Sequence, residues 1–501
     1  MIRFPSSRLN DNVNTVWLSV EPHNVCLTIM KVVGVIGGGA AGLCAARHIL
    51  ATSSMLPVVW EQSSQIGGTW VYTPRLGEDE HGLPIHSSMY KNLKTNLPKE
   101  VMAFPDYPFP PGEESFLHHT EVCKYLESYA EHYNIHPHIK FGHNVEQVTP
   151  VMRDEGPTAW AVTVKNLASK TSSTTTCDAL LVCNGHYSVP QVPQIKNIQK
   201  FKGRQIHSHN YREPLPFRGS TIVVLGAGAS GLDITLELAS VAKNVLLSHN
   251  LPVQIPSELP ANVRQVRGVV AALDNGFVFA DGSSAEADVI VYCTGYKYSF
   301  PFLTDDCGIT VEENVVKPLY KHLINAVHPS MAFIGIPFMI CPFPLFDFQV
   351  QYFMAMMTGK LTLPSSMEME ADTMSELHHR RPLGYNDKYF HRFGFTKQID
   401  FMNEVAEQIK IPSIKPSIKK ALEIVLCRII FSFQMFKKYQ YRVVSDSIVR
   451  EVCHGKVVNT SWDLRRLMAK QLVRLLWRDF FRVVTLLGTR VLTTLKRIIH
   501  H

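Results

Sequence analysis

The sequence contains no closely spaced pair of cysteines. Its 10 cysteines are scattered over 501 residues without a CxxC motif, and the closest two, Cys177 and Cys183, are six positions apart. This pattern argues against a zinc ribbon, a secreted disulfide framework and a dithiol redox centre. We therefore expect a cytoplasmic protein of a reducing compartment, without a metal site.

An N-terminal secretory signal is also lacking. Residues 1–29 are interrupted by Asn, Asp, Glu, Pro and His, so they contain no apolar core of the kind that a signal peptide needs. The first regular pattern begins at Met30. We expect residues 1–29 to be a disordered N-terminal extension.

Excess positive charge is lacking outside the C-terminus. Residues 464–501 hold nine Lys or Arg and one acid, Asp479, whereas the net charge of the whole chain is only +7. The rest of the chain is therefore almost neutral. It gives no indication of nucleic-acid binding.

The basic residues of this tail lie on one side of a predicted amphipathic helix over 463–501. They recur every four positions: Arg466, Lys470, Arg474, Arg478 and Arg482. No uncharged run here approaches the ~20 residues that cross a bilayer. Two interpretations remain open. The helix contacts a membrane peripherally, for example the endoplasmic reticulum, or it packs on the protein's own surface.

Two segments show the order strand, glycine-rich turn, helix, strand. The first begins with the apolar run KVVGVIGG (31–38), followed by an Ala-rich helix and the strand PVVWE (57–61). The second runs from STIVVLGAGASGLDITLELA to KNVLLSH, over 220–249. Each pattern predicts a βαβ dinucleotide-binding unit.

The order of these units predicts the fold class. Two buried strands, LLVCNGHY and IVYCTGY, bracket the second unit, and each ends in a glycine-containing turn. We predict an α/β fold with two Rossmann-like domains, the second inserted into the first. The expected divisions are 30–204 and 326–462 for the first domain and 205–325 for the insertion. The proline-rich segments YPFPPGEE and ICPFPLFDF are interpreted as rigid loops.

The first glycine fingerprint, GGGAAG, predicts a pyrophosphate site. Gly37 permits a tight turn, Gly39 lets a phosphate approach the backbone, and Gly42 lets helix and strand pack closely. The helix N-terminus offers free N–H groups to the anion. The candidate contacts are the six loop residues and the acid that ends the next strand, placed to accept hydrogen bonds from ribose hydroxyls: Gly37, Gly38, Gly39, Ala40, Ala41, Gly42 and Glu61.

The second fingerprint, GAGASG, contains Gly226, Gly228 and Gly231. Its next strand ends in SHN (248–250) and lacks an acid. An acid there would hold a free ribose 2′-hydroxyl and repel a 2′-phosphate, so its absence favours NADP over NAD. The alternative is that this strand end is a simple loop.

The segment FKGRQIHSHNYR (201–212) lies just before the second fingerprint. With it, the sequence resembles the flavin-containing monooxygenases, a family of class B flavoprotein monooxygenases. Baeyer–Villiger monooxygenases usually carry Trp where this segment has Tyr211. Further family landmarks occur in the expected order, and the resemblance covers about residues 30–445: IGGTW, YKNLKTNLPKEVMAFPDYPFP, VCNGHYSVPQVP, YCTGY, FIGIPF and KYQYR.

The resemblance implies roles for individual residues. FAD is expected on the first fingerprint and NADPH on the second, with Asn96 as the active-site asparagine. Without the resemblance, Asn96 would be interpreted as a turn or helix-cap residue, and Trp70 as a core aromatic. The further positions implied to contact the cofactors are Gly68, Thr69, Trp70, Thr95, Leu97, Ser230, Leu232 and Asp233.

The histidines give no clear catalytic signal. His207, in the segment 201–212 that links the two domains (the linker segment), is interpreted as a structural tie between the domains, with a general acid as the alternative. The pairs His118–His119 and His378–His379 have no ligand-like partners nearby in the sequence, so they predict surface or capping residues.

The resemblance also implies a reaction. NADPH reduces FAD, dioxygen forms a C4a-hydroperoxyflavin, and this intermediate oxygenates a soft N or S atom of a small lipophilic amine or sulfide, as in dimethylaniline and xenobiotic metabolism. Alternatives are a Baeyer–Villiger ketone oxygenase, an uncoupled NADPH oxidase and a non-enzymatic membrane-associated scaffold. Animal members often end in a hydrophobic anchor, and this tail departs from that pattern. The sequence leaves the oligomeric state open.

Overall fold

A computed structural model describes residues 30–383 and 386–460. The α-helices of this part are α1 (Ala40–Leu50), α2 (Lys99–Met102), α3 (His119–His132), α4 (Ala229–Ala239), α5 (Pro342–Met357), α6 (Ser366–Arg380), α7 (Gly394–Ile409) and α8 (Pro416–Phe431). The strands in chain order are β1 (Lys31–Ile36), β2 (Met55–Glu61), β3 (Ile139–Phe141), β4 (His143–Val151), β5 (Ala159–Asn166), β6 (Ser172–Cys177), β7 (Ala179–Val182), β8 (Val189–Pro190), β9 (Arg204–His207), β10 (Thr221–Leu225), β11 (Asn244–His249), β12 (Val263–Arg267), β13 (Val269–Leu273), β14 (Gly276–Phe279), β15 (Ser284–Glu286), β16 (Val289–Tyr292), β17 (Tyr296–Lys297), β18 (Thr310–Glu312), β19 (Val315–Lys317), β20 (Leu319–Tyr320), β21 (Ile324–Asn325), β22 (Met331–Phe333), β23 (Gln440–Ser445), β24 (Ile448–Cys453) and β25 (Lys456–Thr460).

The first large sheet has seven strands in the order β20-β21-β22-β7-β1-β2-β3. Its central strand β1 pairs in parallel with β2 and β7. All four residues of β7 are buried, as expected for a parallel strand covered on both faces. Helices α1, α3 and α5 pack together on one face. The sheet thus carries the first fingerprint at the carboxyl end of β1.

The second large sheet has five strands in the order β12-β11-β10-β16-β9, all parallel. Strand β10 leads through the second fingerprint into α4, and β16 returns beside it. Its β9 comes from the linker segment over 201–212. This doubly wound pair of sheets confirms the predicted fold class. The division of the chain at 204/205 and 325/326 stays a proposal; strands β20 and β21, near the second division, pair within the first sheet.

Smaller antiparallel sheets complete the fold. Strands β4–β6, β13–β15 and β23–β25 form three-stranded sheets, and the pairs β8–β17 and β18–β19 are two-stranded. The β8–β17 pair joins the two segments that link the large sheets, since Val189 pairs with Lys297.

The interpretation of ICPFPLFDF as a rigid loop is wrong, because this segment forms the beginning of α5. Pro342 is the first helical residue, and Pro344 lies in the first turn. The backbone N–H groups of a first turn have no intrahelical acceptor, so proline costs no hydrogen bond there. Proline, which would disrupt the interior of a helix, is therefore tolerated in the first turn of a helix.

The predicted extension over 1–29 and the predicted basic helix over 463–501 lie outside the described residues. Membrane contact through 464–501 accordingly stays a prediction. Within 30–383 and 386–460, none of the helices combines the length and the apolar character that a bilayer crossing requires.

Candidate cofactor and active site

At two positions of the first fingerprint, the backbone accommodates only glycine. Gly37 has φ +104°, and a Cβ atom there would lie 2.7 Å from the Cys183 carbonyl oxygen. A Cβ atom on Gly42 would lie 1.8 Å from the Gly37 carbonyl oxygen. These contacts let α1 start directly above the ends of β1 and β7.

The IGGTW segment folds back against this fingerprint. The Gly67 amide donates a hydrogen bond of 3.1 Å to the Gly38 carbonyl, and a Cβ on Gly68 would lie 3.1 Å from the Gly39 Cα. No side chain of a described residue caps the N-terminus of α1. The result is a glycine-lined cradle with free N–H groups, which fits a dinucleotide pyrophosphate.

Glu61 lies at the end of β2 with its side chain buried. Its Oε2 accepts a hydrogen bond of 2.7 Å from the Gly38 amide, and its Oε1 accepts one of 2.8 Å from the Ser63 amide. The carboxylate is thus fixed beside the cradle. Each carboxylate oxygen accepts more than one hydrogen bond, so the predicted ribose contact is compatible with this position and stays a prediction.

The second fingerprint repeats the geometry of the first. Gly226 has φ +113°, and its Cβ would lie 2.4 Å from the Cys293 carbonyl oxygen. A Cβ on Gly231 would lie 1.9 Å from the Gly226 carbonyl oxygen, whereas one on Gly228 would meet no atom within 4 Å. Gly228 therefore borders open space where a phosphate fits.

The strand end that follows the second fingerprint contains a cation that the sequence pattern did not single out. The Arg267 guanidinium on β12 donates a hydrogen bond of 2.9 Å to the Leu251 carbonyl, just beyond β11. The Ser248 hydroxyl donates one of 2.8 Å to the Arg267 carbonyl. An exposed arginine beside an acid-free strand end suits a 2′-phosphate.

Residues 94–97, the Asn96 segment, have a fixed backbone, and the side chain of Asn96 is exposed. The Thr95 amide donates a hydrogen bond of 2.8 Å to the Leu117 carbonyl, and the Thr95 hydroxyl accepts one of 3.0 Å from the Leu117 amide. The Asn96 amide group makes no hydrogen bond with a described residue, and Pro98 is the N-cap of α2. Asn96 is therefore not the helix cap. Its catalytic role stays a prediction.

The other predicted flavin neighbours lie around the IGGTW turn. Gly68, Thr69 and Trp70 form one turn of 3-10 helix. The Trp70 ring meets Phe343 of α5 edge to face, with centroids 6.3 Å apart. Leu97 is half-buried against the same core. The structure therefore brings α5 close to this turn.

The three predicted NADPH contacts on α4 differ in their surroundings. Ser230 is exposed in the first turn, next to Gly228. Leu232 is half-buried and packs inward. The Asp233 carboxylate accepts hydrogen bonds from the Tyr90 hydroxyl and from Lys437, both outside the second sheet. The contacts of Asp233 and Ser230 with NADPH stay predictions.

The environment of His207 supports the structural interpretation. Its Nε2 lies 3.1 Å from the Gly295 carbonyl oxygen, and its Nδ1 accepts a hydrogen bond of 3.0 Å from the His209 amide. Burial lowers the pKa of His207 to about 4. The ring is therefore neutral at pH 7, donates from Nε2, and ties β9 to the turn after β16.

Three of the four histidines in the two pairs are surface or capping residues, as the sequence predicts. The His118 side chain caps α3 by accepting a hydrogen bond from the Thr120 amide. His378 and His379 are exposed in the last turn of α6. The prediction is wrong for His119, which is buried because its ring packs against Tyr72 and its Nε2 lies 3.3 Å from the Lys91 carbonyl oxygen.

One buried polar cluster is not foreseen by the sequence pattern. Cys44, His48 and Asp347 bring three potential ligand atoms within 4.8 Å of one another, at the contact of α1 with α5. The His48 Nε2 lies 2.7 Å from the Asp347 Oδ1. Burial raises the pKa of the Cys44 thiol well above its ordinary value, and the Arg47 guanidinium lies 2.8 Å from the His48 Nδ1. A neutral thiol and a neighbouring cation both oppose a metal ion there.

Comparison with known proteins places this geometry in a family. The profile of the flavin-binding monooxygenase-like family matches residues 30–257 and 250–470. Flavin-containing monooxygenase FMO GS-OX5 of Arabidopsis thaliana is 39% identical over 398 residues, which are 76% of this chain and 85% of the plant protein.

Two solved structures extend this similarity to the fold. S-allyl-L-cysteine S-oxygenase from Allium sativum superposes with a TM-score of 0.76 at 34% identity, covering 82% of this chain and 95% of that protein. Tmm from Pelagibacter sp. strain HTCC7211 superposes with a TM-score of 0.73 at 25% identity, covering 86% and 96%. The chain therefore belongs to the flavin-containing monooxygenase family, and its cofactors are FAD and NADPH.

Proposed function

We propose that this monooxygenase transfers one oxygen atom from dioxygen to the sulfur of a small lipophilic thioether. The overall reaction consumes a sulfide, dioxygen, NADPH and a proton, and yields a sulfoxide, NADP⁺ and water. The observation that carries the choice of sulfur is the 34% identity over 82% of the chain to a plant S-allyl-L-cysteine S-oxygenase.

The two cradles support the division of labour between the cofactors. In this proposal Gly37, Gly39 and Glu61 hold FAD, and Gly226, Gly228 and Ser230 hold NADPH. Bound FAD supplies the redox and oxygen-transfer chemistry. The protein's part is to orient the two cofactors, to exclude water and to offer hydrogen bonds at the reacting atoms.

Asn96 is the residue proposed to touch the reacting atoms. Its backbone is fixed through Thr95, while its amide group is exposed and unpaired among the described residues. An amide both donates and accepts hydrogen bonds, so it suits a site that holds both an oxygen species and a nicotinamide ribose. Because a side-chain amide does not titrate, this role needs no change in the protonation state of Asn96.

The state of the thiols supports an oxygenase over a dithiol reductase. Each of the nine cysteines in the described part of the chain is free. Burial raises the pKa of Cys293, next to the second fingerprint, to about 12, and it raises that of Cys183 as well. Neither residue offers a thiolate at neutral pH.

The test is a substrate panel with purified, flavin-loaded enzyme. We expect NADPH-dependent formation of sulfoxides from alkyl aryl and alkyl allyl sulfides, with about one sulfoxide formed per NADPH consumed. A tertiary amine, a cyclic ketone and a reaction without substrate test N-oxygenation, Baeyer–Villiger oxidation and uncoupled peroxide formation. Turnover of the ketone, or peroxide in step with NADPH, would contradict the proposal.

A further inference from the structure

One face of α4 points at the first-domain segments that carry Asn96. Asp233 and Glu237 are four residues apart, so their side chains lie on the same side of the helix. Tyr90 donates a hydrogen bond to Asp233 Oδ2, and Tyr211 donates one of 2.7 Å to Glu237 Oε2. The two tyrosine rings meet edge to face, with centroids 5.5 Å apart. Two tyrosines, one near Asn96 in the chain and one in the linker, therefore hold this face of α4.

Lys437 connects this helix to the Asn96 segment. Its Nζ lies 2.5 Å from Asp233 Oδ1 and 3.0 Å from the Lys94 carbonyl oxygen. Lys94 precedes Thr95 and Asn96 directly. One ammonium group thus bridges the NADPH-binding helix and the backbone that presents the candidate catalytic amide.

The Asp233 carboxylate balances the charge of Lys437 and accepts the hydrogen bonds of its neighbours. Both oxygens of Asp233 are engaged, one by a hydroxyl and one by an ammonium. Burial, followed by the charge of Asp233, raises the pKa of Tyr90 well above its ordinary value, so the phenol remains a donor. Asp233 and Lys437 are both about four-fifths buried, so the ion pair is partly shielded from water and salt.

We propose that the ion pair of Lys437 with Asp233, together with Tyr90, sets the distance between the NADPH cradle and the Asn96 segment. The three are positioning residues, and their effect is on hydride transfer from bound NADPH to bound FAD. This inference rests on the proposed function. Hydride transfer is sensitive to donor–acceptor placement, because a misplacement of about 1 Å costs up to about 100-fold in rate.

The test is anaerobic stopped-flow reduction of the flavin-loaded enzyme. For Lys437→Met we expect the reduction rate at saturating NADPH to fall at least about tenfold. The Kd for NADP⁺, the flavin content and the rate of reduction by dithionite should stay within about twofold, because none of these depends on the distance between the two cofactors. Lys437→Arg should keep most of the rate, since it retains the charge.

Three further variants separate positioning from general damage to the fold. Asp233→Asn should lower the rate of flavin reduction about as much as Lys437→Met. The double variant should lose no more than either single variant, because each of the three variants removes the same ion pair. Lys438→Met, at an exposed neighbour that forms no ion pair with a described residue, should match the wild type.

The outcomes distinguish a failure of the proposed function from a failure of the positioning role. If wild-type flavin is not reduced by NADPH, the proposed function itself is wrong. If the wild type is reduced and Lys437→Met is reduced at the same rate, the positioning role is wrong. Loss of flavin or a weakened Kd for NADP⁺ with an unchanged saturating rate would also contradict it.

Discussion

The hydroxyl of Tyr211 donates a hydrogen bond of 2.7 Å to Oε2 of Glu237, and the Tyr211 side chain has no exposed surface. Tyr211 is the penultimate residue of the linker segment over 201–212, and Glu237 lies on α4. Burial raises the pKa of Glu237, and the phenol opposes this by stabilising the charged form. The linker is thus anchored to α4, the helix of the proposed NADPH cradle, through a partly buried acid.

This anchor predicts a measurable loss of stability. Tyr211→Phe removes the donor and leaves the Glu237 carboxylate less satisfied, which should cost about 1–2 kcal/mol of unfolding free energy. Thermal unfolding of the flavin-loaded protein measures it. Tyr389→Phe is the control, because Tyr389 is exposed and its hydroxyl has no hydrogen-bond partner in the described part of the chain. Equal melting temperatures for Tyr211→Phe and the wild type would contradict the anchoring role.

The second cradle predicts a contrast between two glycines. Gly228→Ala meets no atom within 4 Å, so the apoprotein should keep its stability while the KM for NADPH rises, since a methyl group there would occupy the proposed phosphate site. Gly226→Ala meets the Cys293 carbonyl at 2.4 Å at φ +113°, and should cost more than about 1 kcal/mol of stability. Titration with NADP⁺ and thermal unfolding separate the two effects. An unchanged KM in Gly228→Ala would refute the phosphate position.

Glu100 predicts a pH-dependent stability. Its Oε2 is buried without a partner among the described residues, and its Oε1 accepts a hydrogen bond of 3.0 Å from Ser115. Burial raises the pKa of Glu100 from an ordinary 4.5 to about 7. The folded protein therefore holds this proton more tightly than the unfolded chain, and Glu100 lowers the stability progressively as the pH rises from 4.5 to about 7.

Glu100→Gln removes this titration. At pH 8 the variant should be about 1–2 kcal/mol more stable than the wild type, and the difference should vanish as the pH falls below 4.5, where the wild-type Glu100 is neutral in both the folded and the unfolded state. Melting temperatures across this pH range measure the difference. The exposed Glu113→Gln should show no such trend. A constant difference for Glu100→Gln at every pH would contradict the raised pKa.

Asn96 predicts a loss of activity without a loss of stability. Because the side chain is exposed and unpaired among the described residues, Asn96→Ala should change the unfolding free energy by less than about 0.5 kcal/mol. Sulfoxide formation should fall at least about tenfold if the amide contacts the reacting atoms. Steady-state assays and melting curves on the same preparation test this. Full activity would remove Asn96 from the site.

The sequence reveals the parts of the site that depend on local geometry. Gly42 and Gly231 are required by contacts with Gly37 and Gly226 inside one βαβ unit, and Gly37 and Gly226 are required by their positive φ, so the glycine spacing alone predicts both cradles. The sequence pattern does not reveal the N-terminus of α5, because proline is compatible with both a loop and a helix start. The bridge of Lys437 to Asp233 joins residues 204 positions apart, so no periodicity could indicate it.

The most direct measurement of the central claim is isotope incorporation from dioxygen. The flavin-loaded enzyme is supplied with NADPH, a thioether and ¹⁸O₂, and the product is analysed by mass spectrometry. We predict a sulfoxide that carries one ¹⁸O atom, formed only when NADPH is present. A sulfoxide that carries ¹⁶O from water, or NADPH consumption with no sulfoxide at all, would contradict the assignment as a sulfur monooxygenase.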